Sequence, residues 1–159
     1  MLSWNVTGLS LENLVLLVHE LEEDTFHFDV LFLQECMPSL EGQSYFDSQG
    51  HGYFMGVHHW RCAGLVIHKR WRDSIQWHVT SLRHPLACVD FWGKLTLLSS
   101  WYLPQDGLQY HYFSEVLEDS ASAIQRQRRL GHLWQNVILG GDFNTHSGTE
   151  NVAHLSSKA

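Results

Sequence analysis

The segment from Val137 to Thr145 is the part of this sequence that most constrains its fold and chemistry. Three apolar residues lead into two glycines, and Asp142 and Asn144 then follow two positions apart. Residues i and i+2 of an extended chain lie on one face, so we expect both polar side chains to point at one small ligand. The pattern predicts a strand whose end forms part of a binding site.

The beginning of the chain predicts a strand, a helix and a second strand. Residues 2–6 alternate in polarity, and Ser10 is a suitable N-cap for a helix that follows. The apolar positions of that helix have helical spacing: Leu11, Leu14, Val15, Val18 and Leu21. Residues 29–33 form a short, mainly apolar run, typical of a strand buried on both faces. This order predicts a right-handed parallel unit.

The rest of the chain predicts closely spaced strands, a hairpin, a second helix and a last strand. The strands are expected at 53–57, 63–68 and 75–79, and the hairpin at 86–91 and 94–102, closing at Trp92-Gly93. A helix is predicted between Gly107 and Gly131, and a last strand at 137–139. The apolar face predicted for that helix is Phe113, Val116, Leu117, Ala121 and Ile124.

The composition supports one globular domain with a real core, since 44% of the 159 residues are hydrophobic and 13% are aromatic. A net charge of −7 argues against a surface that coats a polyanion, although a bound divalent cation would supply local positive charge. No apolar stretch is long enough to span a bilayer. Three widely spaced cysteines, Cys36, Cys62 and Cys88, are typical of reduced thiols and predict an intracellular protein.

Polar side chains directly follow apolar residues at three predicted strand ends. Asn5 ends the first strand, Glu35 follows the second, and Asp142 and Asn144 follow the last. Ligand sites of layered α/β proteins collect where strands end. One glutamate with an aspartate and asparagines is a hard-oxygen donor set, suited to magnesium or manganese rather than zinc. Each residue taken alone is also explained as a turn or cap.

Four motifs in a fixed order resemble the endonuclease/exonuclease/phosphatase superfamily. They are Ser3–Leu9, Leu31–Glu35, Ser100–Pro104 and Gly140–Thr145. The resemblance implies an α/β fold, a partial two-sheet α/β sandwich with mixed sheets flanked by helices. It implies that residues 1–150 are an incomplete domain of this type and that residues 151–159 are a polar tail. The first and third motifs are most similar to apurinic-site and retroelement-type endonucleases.

The resemblance also implies a role for each matching residue. Glu35 would bind Mg²⁺ or Mn²⁺ with Asn5 beside it, and Tyr102 would donate a hydrogen bond to the scissile phosphate. Asp142 would orient or deprotonate the attacking water, and Asn144 would hold phosphate oxygens. The implied reaction is metal-assisted displacement at phosphorus. DNA or RNA is the expected substrate, and phosphate esters of nucleotides or lipid headgroups are the alternative, which the acidic balance favours.

The sequence departs from the superfamily pattern at two places. Thr7 stands where many nucleases of this type have an acidic residue. No segment after Thr145 matches the Ser-Asp-His motif whose histidine contacts the phosphate, since His146 follows too closely and His154 has different neighbours. Loss of one member of a cooperative catalytic set removes most of the rate. We therefore expect this chain to be inactive or weak, and a non-catalytic fragment or pseudoenzyme is the alternative of a different class.

Two further groups of polar residues are given structural interpretations. His58, His59 and His68 do not have the spacing of a usual zinc-ligand pair, so the sequence argues against a zinc site there. The three arginines near the end of the second helix, Arg126, Arg128 and Arg129, are expected to be a solvated helix end that suits the helix dipole, rather than a nucleic-acid contact.

Overall fold

The computed structural model describes residues 1–24, 26–37, 40–57, 61–103 and 109–142, and only the backbone of 109–113. These residues contain two α-helices, α1 (Leu11–Glu23) and α2 (Gln109–Arg129), and a 3-10 helix at Lys69–Ser74. The strands are β1 (Leu2–Asn5), β2 (Val30–Cys36), β3 (Ser44–Phe46), β4 (Gly52–Met55), β5 (Cys62–Ile67), β6 (Ile75–Val79), β7 (Leu86–Phe91), β8 (Lys94–Tyr102) and β9 (Asn136–Asp142). Neither described α-helix combines the length and apolar character that crossing a bilayer requires.

The strands form two mixed sheets. The five-stranded sheet has the order β1-β2-β5-β4-β3, and the four-stranded sheet has the order β6-β7-β8-β9. β1 is parallel to β2 and β8 is parallel to β9, whereas the other pairs are antiparallel. This architecture confirms the predicted two-sheet α/β fold with mixed sheets.

The two sheets pack face to face, and strand β2 shows how the layers are held. Alternate side chains of a strand point to opposite faces. Leu31 and Leu33 pack with residues of α1, whereas Val30 and Phe32 join the core that β2 forms with the second sheet. Burying one such side chain contributes about 1.5–3 kcal/mol. A strand that is apolar on both faces is therefore needed at this position, as the sequence of β2 predicts.

Most elements lie where the sequence predicts them. Ser10 is the N-cap of α1, and its Oγ accepts a hydrogen bond of 3.3 Å from the Asn13 amide. The hairpin of β7 and β8 has the predicted bounds, and both turn residues, Trp92 and Gly93, have positive φ. Strand β3 was not predicted, because its three residues are all exposed and carry no buried periodicity.

The predicted apolar face of α2 is wrong in part. Leu117 is 41% exposed and Ala121 is also exposed, whereas Val116 and Gln127 are buried. The Oε1 atom of Gln127 lies 2.9 Å from Nδ1 of His132, so its amide is hydrogen-bonded although it is buried. Gln127 is therefore part of the buried face, because its side-chain hydrogen bond is satisfied there. A hydrophobic pattern alone does not predict this position as buried.

Candidate functional site

Four of the five predicted site residues lie at neighbouring strand ends. The parallel pairing of β1 and β2 places Asn5 and Glu35 at one edge of the first sheet. The parallel pairing of β8 and β9 places Tyr102 opposite Asp142 in the second sheet. Contacts of β9 with β1 and β2 bring these two edges together. Asn144 lies outside the described residues, so its place in the site stays a prediction.

A local irregularity of β2 directs Glu35 into this group. The register of β2 against β5 shifts between Leu33 and Cys36, which is a β-bulge, and Glu35 has φ of +57°. A positive φ at a non-glycine residue costs about 1–3 kcal/mol and persists where neighbours hold it. One such neighbour is Gly8, whose amide donates a 2.6 Å hydrogen bond to the Glu35 carbonyl. The bulge re-aims the side chain away from the regular alternation of the strand.

Hydrogen bonds fix the orientation of the Glu35 carboxylate through one oxygen. Asn5 Nδ2 donates to Oε1 at 2.9 Å, and the Tyr102 hydroxyl donates to the same atom at 3.3 Å. The Asn5 amide is itself oriented, because the backbone amide and hydroxyl of Thr7 both donate to Asn5 Oδ1 at 3.0 Å. Oε2 of Glu35 receives no hydrogen bond from a described residue. Thr7 thus positions the site without contributing a carboxylate.

The Tyr102 hydroxyl is kept protonated by its surroundings. Burial raises the pKa of Tyr102 to about 12, and the charges of Glu35 and Asp142 act in the same direction. The charge of Arg61 acts in the opposite direction. Because the folded-state pKa is far above neutral pH, Tyr102 remains a hydrogen-bond donor throughout the physiological range.

A buried glutamine ties both sheets together beside the site. Gln34 is 2% exposed, and its Nε2 donates to the Ser3 hydroxyl at 3.1 Å, to the Phe32 carbonyl at 2.9 Å and to the Ser100 hydroxyl at 3.4 Å. Ser100 in turn donates to the Leu33 carbonyl at 2.8 Å. These bonds connect β1, β2 and β8 next to the strand ends that carry Asn5, Glu35 and Tyr102. They hold the strand ends at a fixed separation.

The two glycines before Asp142 allow β9 to approach its neighbours closely. A Cβ on Gly140 would overlap the ring of Phe32, and a Cβ on Gly141 would overlap the backbone carbonyl of Trp101. Any other residue would push β9 away from β2 or from β8. The Gly-Gly pair therefore has a packing role, and it sets the position of the Asp142 side chain relative to Glu35.

The donor atoms at the strand ends fit a hard divalent cation. Glu35 and Asp142 provide carboxylate oxygens, whereas the amide oxygen of Asn5 already accepts two hydrogen bonds from Thr7. Oxygen donors of this kind suit Mg²⁺ and Mn²⁺. Of the two Glu35 oxygens, Oε2 is the one that could bind a cation, because Oε1 already accepts two hydrogen bonds.

A second group of residues with metal-ligand side chains lies elsewhere: the ligand atoms of Glu22, His51 and His68 are within 4.8 Å of one another. His51 Nδ1 accepts from the Lys69 amide at 3.1 Å, and His68 Nδ1 accepts from the Arg70 amide at 3.1 Å. The ring proton of each neutral histidine is therefore on Nε2, which faces a Glu22 oxygen at 2.9 and 3.3 Å. A protonated Nε2 donates and does not ligate, so this group, the Glu22 cluster, is a hydrogen-bonded anchor of α1.

The Glu22 cluster predicts an acid-sensitive contribution to stability. The hydrogen bond from Lys69 is the main cause that lowers the pKa of Glu22 from 4.5 to about 2. Burial is the main cause that lowers the pKa of His68 below 6.5. Both folded-state pKa values are below the unfolded ones, so the folded protein binds fewer protons. The histidine contribution is lost as pH falls from 6.5 towards the lower folded-state pKa of His68, and the Glu22 contribution as pH falls from 4.5 towards 2.

Glu22→Gln is therefore expected to flatten the acid side of the stability profile. Between pH 5 and pH 3 the parent chain should lose about 1–3 kcal/mol more unfolding free energy than the variant, because the variant has no carboxylate there to protonate. Urea unfolding at several pH values measures this difference. Glu23→Gln, an exposed neighbour on the same helix, is the control. Equal slopes for the parent and Glu22→Gln would contradict the assignment.

A separate cavity of about 290 Å³ lies between the second sheet and α2. Its lining includes Ser99 and Trp101 of β8, with Arg83 and Ser120. Ser99 and Trp101 alternate along β8 with Ser100 and Tyr102, so the cavity is on the opposite face of the sheet from the strand-end group. We therefore place the candidate site at the strand ends, where Glu35 and Asp142 lie, and not in this cavity.

Comparisons with known proteins show what the architecture is similar to. No protein-family model and no curated protein matches this chain. A humanized D. rerio TDP2 with 14 mutations matches with 24% identity and a TM-score of 0.58, over 94% of this chain and 64% of that chain. D. rerio TDP2 complexed with single-strand DNA product matches with 22% identity and a TM-score of 0.51, over 95% and 63%.

This chain has the fold of TDP2. The similarity extends over almost all of this chain but less than two thirds of either TDP2 chain. At these levels of identity the shared property is the fold, which agrees with the predicted two-sheet α/β sandwich. The apurinic-site or retroelement subtype, the division at residue 150 and the roles of the individual site residues stay predictions.

Proposed function

We propose that the strand-end group formed by Asn5, Glu35, Tyr102 and Asp142 is a site for divalent-metal-dependent hydrolysis of phosphodiesters. The observation that carries the proposal is the state of the Glu35 carboxylate. One of its oxygens accepts hydrogen bonds from Asn5 and Tyr102, while the other receives none from the described residues. A carboxylate held in this way has a fixed orientation and a lone-pair site left for a cation.

Each residue of the group has a defined task in this proposal. A divalent cation bound by Glu35 would neutralise charge on the phosphate oxygens. Asn5 keeps the carboxylate in place, and Thr7 keeps the Asn5 amide in place. Tyr102 remains protonated and donates a hydrogen bond to a phosphate oxygen. Asp142 orients water and accepts its proton, which is general base catalysis by a positioned carboxylate.

A nucleic-acid strand is the proposed substrate. The sequence motifs resemble nucleases, and one of the structures with this fold is a TDP2 complexed with single-strand DNA product. The second candidate substrate is a phosphate ester of a nucleotide or a lipid headgroup. The net charge of −7 favours this alternative, because a small ligand needs a smaller electropositive surface than a polymer does.

We propose that this chain by itself turns over slowly. The residues after Thr145 contain no Ser-Asp-His segment to provide a histidine for the phosphate. Members of a catalytic set act cooperatively, so the loss of one removes most of the rate. A protein that binds metal and nucleic acid without turnover, a pseudoenzyme, is the alternative that the test below distinguishes.

Hydrolysis of a labelled single-strand DNA by the 159-residue chain tests this function. With Mg²⁺ or Mn²⁺ we expect slow product formation, with a turnover number at least about 100-fold below the 1–10³ s⁻¹ typical of enzymes. With EDTA we expect no product. Faster phosphate release from a nucleoside monophosphate would favour the phosphatase alternative. Metal-dependent binding of DNA without any product would favour the pseudoenzyme, and product in EDTA would contradict a metal-dependent reaction.

A further inference from the structure

An arginine that sequence reasoning did not single out lies beside the strand-end group. Arg61 directly precedes β5, and its guanidinium lies against Gly8. A Cβ on Gly8 would be 2.7 Å from Arg61 Nη1 and 3.2 Å from its Cζ. Gly8 also donates its amide hydrogen to the Glu35 carbonyl at 2.6 Å. Gly8 therefore contacts both the Arg61 guanidinium and the backbone carbonyl of Glu35, the proposed metal ligand.

The backbone of the turn after β1 makes room for this arginine. Gly8 has φ of +77°, and Thr7 before it has φ of +41°. A side chain at position 8 would be strained by this φ, and it would also displace the guanidinium. The absence of a side chain at Gly8 thus leaves the space that the Arg61 guanidinium occupies.

Arg61 provides positive charge where the described neighbours provide negative charge. Three charged groups act on the Tyr102 hydroxyl: the carboxylates of Glu35 and Asp142, and the guanidinium of Arg61. The whole chain is acidic, with a net charge of −7, so its surface as a whole repels a polyanion. Of the three charged groups that act on Tyr102, only the Arg61 guanidinium would attract a phosphate that approaches this hydroxyl.

We propose that Arg61 binds the non-bridging oxygens of the substrate phosphate and so confers preference for a phosphate-bearing strand. A guanidinium presents two N–H groups in a planar fork that matches two phosphate oxygens. The proposal rests on the proposed function of the strand-end group, and it adds a substrate-binding residue that directly precedes β5. In this account Gly8 is a positioning residue that leaves space for the guanidinium.

The test is the salt dependence of single-strand DNA binding, measured by fluorescence anisotropy in EDTA between about 50 and 200 mM NaCl. Arg61→Met keeps the apolar stem and removes the charge. It is expected to bind about tenfold more weakly at low salt, and its slope of log K against log salt should be smaller by about 0.7, the value for one phosphate contact on a single strand. Arg61→Lys should keep the slope and lose only about two- to fivefold, because it retains the charge without the fork.

Arg72→Met is the matched control, because Arg72 is exposed and its Cζ lies 4.8 Å from the centre of the Phe46 ring, in another part of the fold. It should leave both affinity and slope unchanged. If Arg61→Met binds with the same affinity and the same slope as the parent chain, the proposal is overturned. A lowered melting temperature with an unchanged slope would also overturn it, because that result describes a structural role.

The two proposals fail in different ways. Binding in EDTA does not require turnover, so an Arg61-dependent slope without any hydrolysis would support Arg61 and contradict the enzymatic proposal. Metal-dependent hydrolysis with an unchanged KM in Arg61→Met would support the enzymatic proposal and contradict the role of Arg61. Failure of the parent chain to bind single-strand DNA at low salt would overturn the Arg61 proposal.

Discussion

Glu35→Gln is expected to reduce metal-dependent hydrolysis to the rate measured in EDTA, a loss of at least about 100-fold where the parent rate allows it to be measured. Glutamine has nearly the same shape as glutamate, and its Oε1 can still accept from Asn5 and Tyr102. The hydrogen bonds around the side chain should therefore survive, while the charge that attracts the cation is lost. The measurement is product formation from labelled single-strand DNA over a range of metal concentrations.

Glu22→Gln is the matched control for this variant. Glu22 is also a partly buried carboxylate with several hydrogen bonds, but it lies near the C-terminal end of α1 in the Glu22 cluster. We expect it to keep the metal-dependent rate at neutral pH. If Glu35→Gln hydrolysed DNA as fast as the parent chain, Glu35 would not be the metal ligand and the proposed mechanism would be wrong.

Gly140→Ala is expected to have the largest effect on folding. A Cβ at this position would overlap the ring of Phe32, which is 3% exposed and belongs to the core between the sheets. Overpacking of this kind costs about 1–3 kcal/mol. For a chain of this size it would lower the melting temperature by about 2–12 °C. Because Asp142 follows two residues later, the displaced strand should also weaken metal binding.

Relief of the overlap provides the control for Gly140→Ala. The double variant Phe32→Leu, Gly140→Ala should be more stable than the sum of the two single effects by about 0.5–3 kcal/mol, since the smaller side chain leaves space for the methyl group. Gly93→Ala has no heavy atom within 4 Å of the added Cβ and reports only the cost of a positive φ. Strict additivity of the double variant would show that β9 does not pack on Phe32 as described.

The sequence predicts those parts of the fold that depend on local periodicity. The hairpin of β7 and β8 and the N-cap at Ser10 follow from alternation, turn residues and capping chemistry. The short edge strand Ser44–Phe46 does not, because it has no buried side to produce a pattern. The buried face of α2 is also predicted incorrectly, because Gln127 lies on it. Burial of Gln127 is compensated by a hydrogen bond with His132 that forms only in the folded chain.

The candidate site was partly predictable for the same reason. Polar residues at the ends of predicted strands mark Asn5, Glu35 and Asp142 as candidates. Parallel pairing places Asn5 beside Glu35, and contacts of β9 with β1 and β2 bring Asp142 towards them. The bulge and positive φ at Glu35 are set by pairing with β5 and by Gly8, which are not local to its motif. Arg61 precedes an ordinary strand and has no motif of its own. Its place beside Gly8 depends on the packing of segments far apart in sequence.

Binding of Mn²⁺ to the chain without substrate tests the central claim most directly, because it requires neither turnover nor nucleic acid. Titration followed by electron paramagnetic resonance should show one saturable site in the parent chain. Glu35→Gln should weaken that site by at least about tenfold, and Glu22→Gln should leave it unchanged. No saturable site, or a site that survives Glu35→Gln and is lost in Glu22→Gln, would contradict the assignment of the strand ends as the metal site.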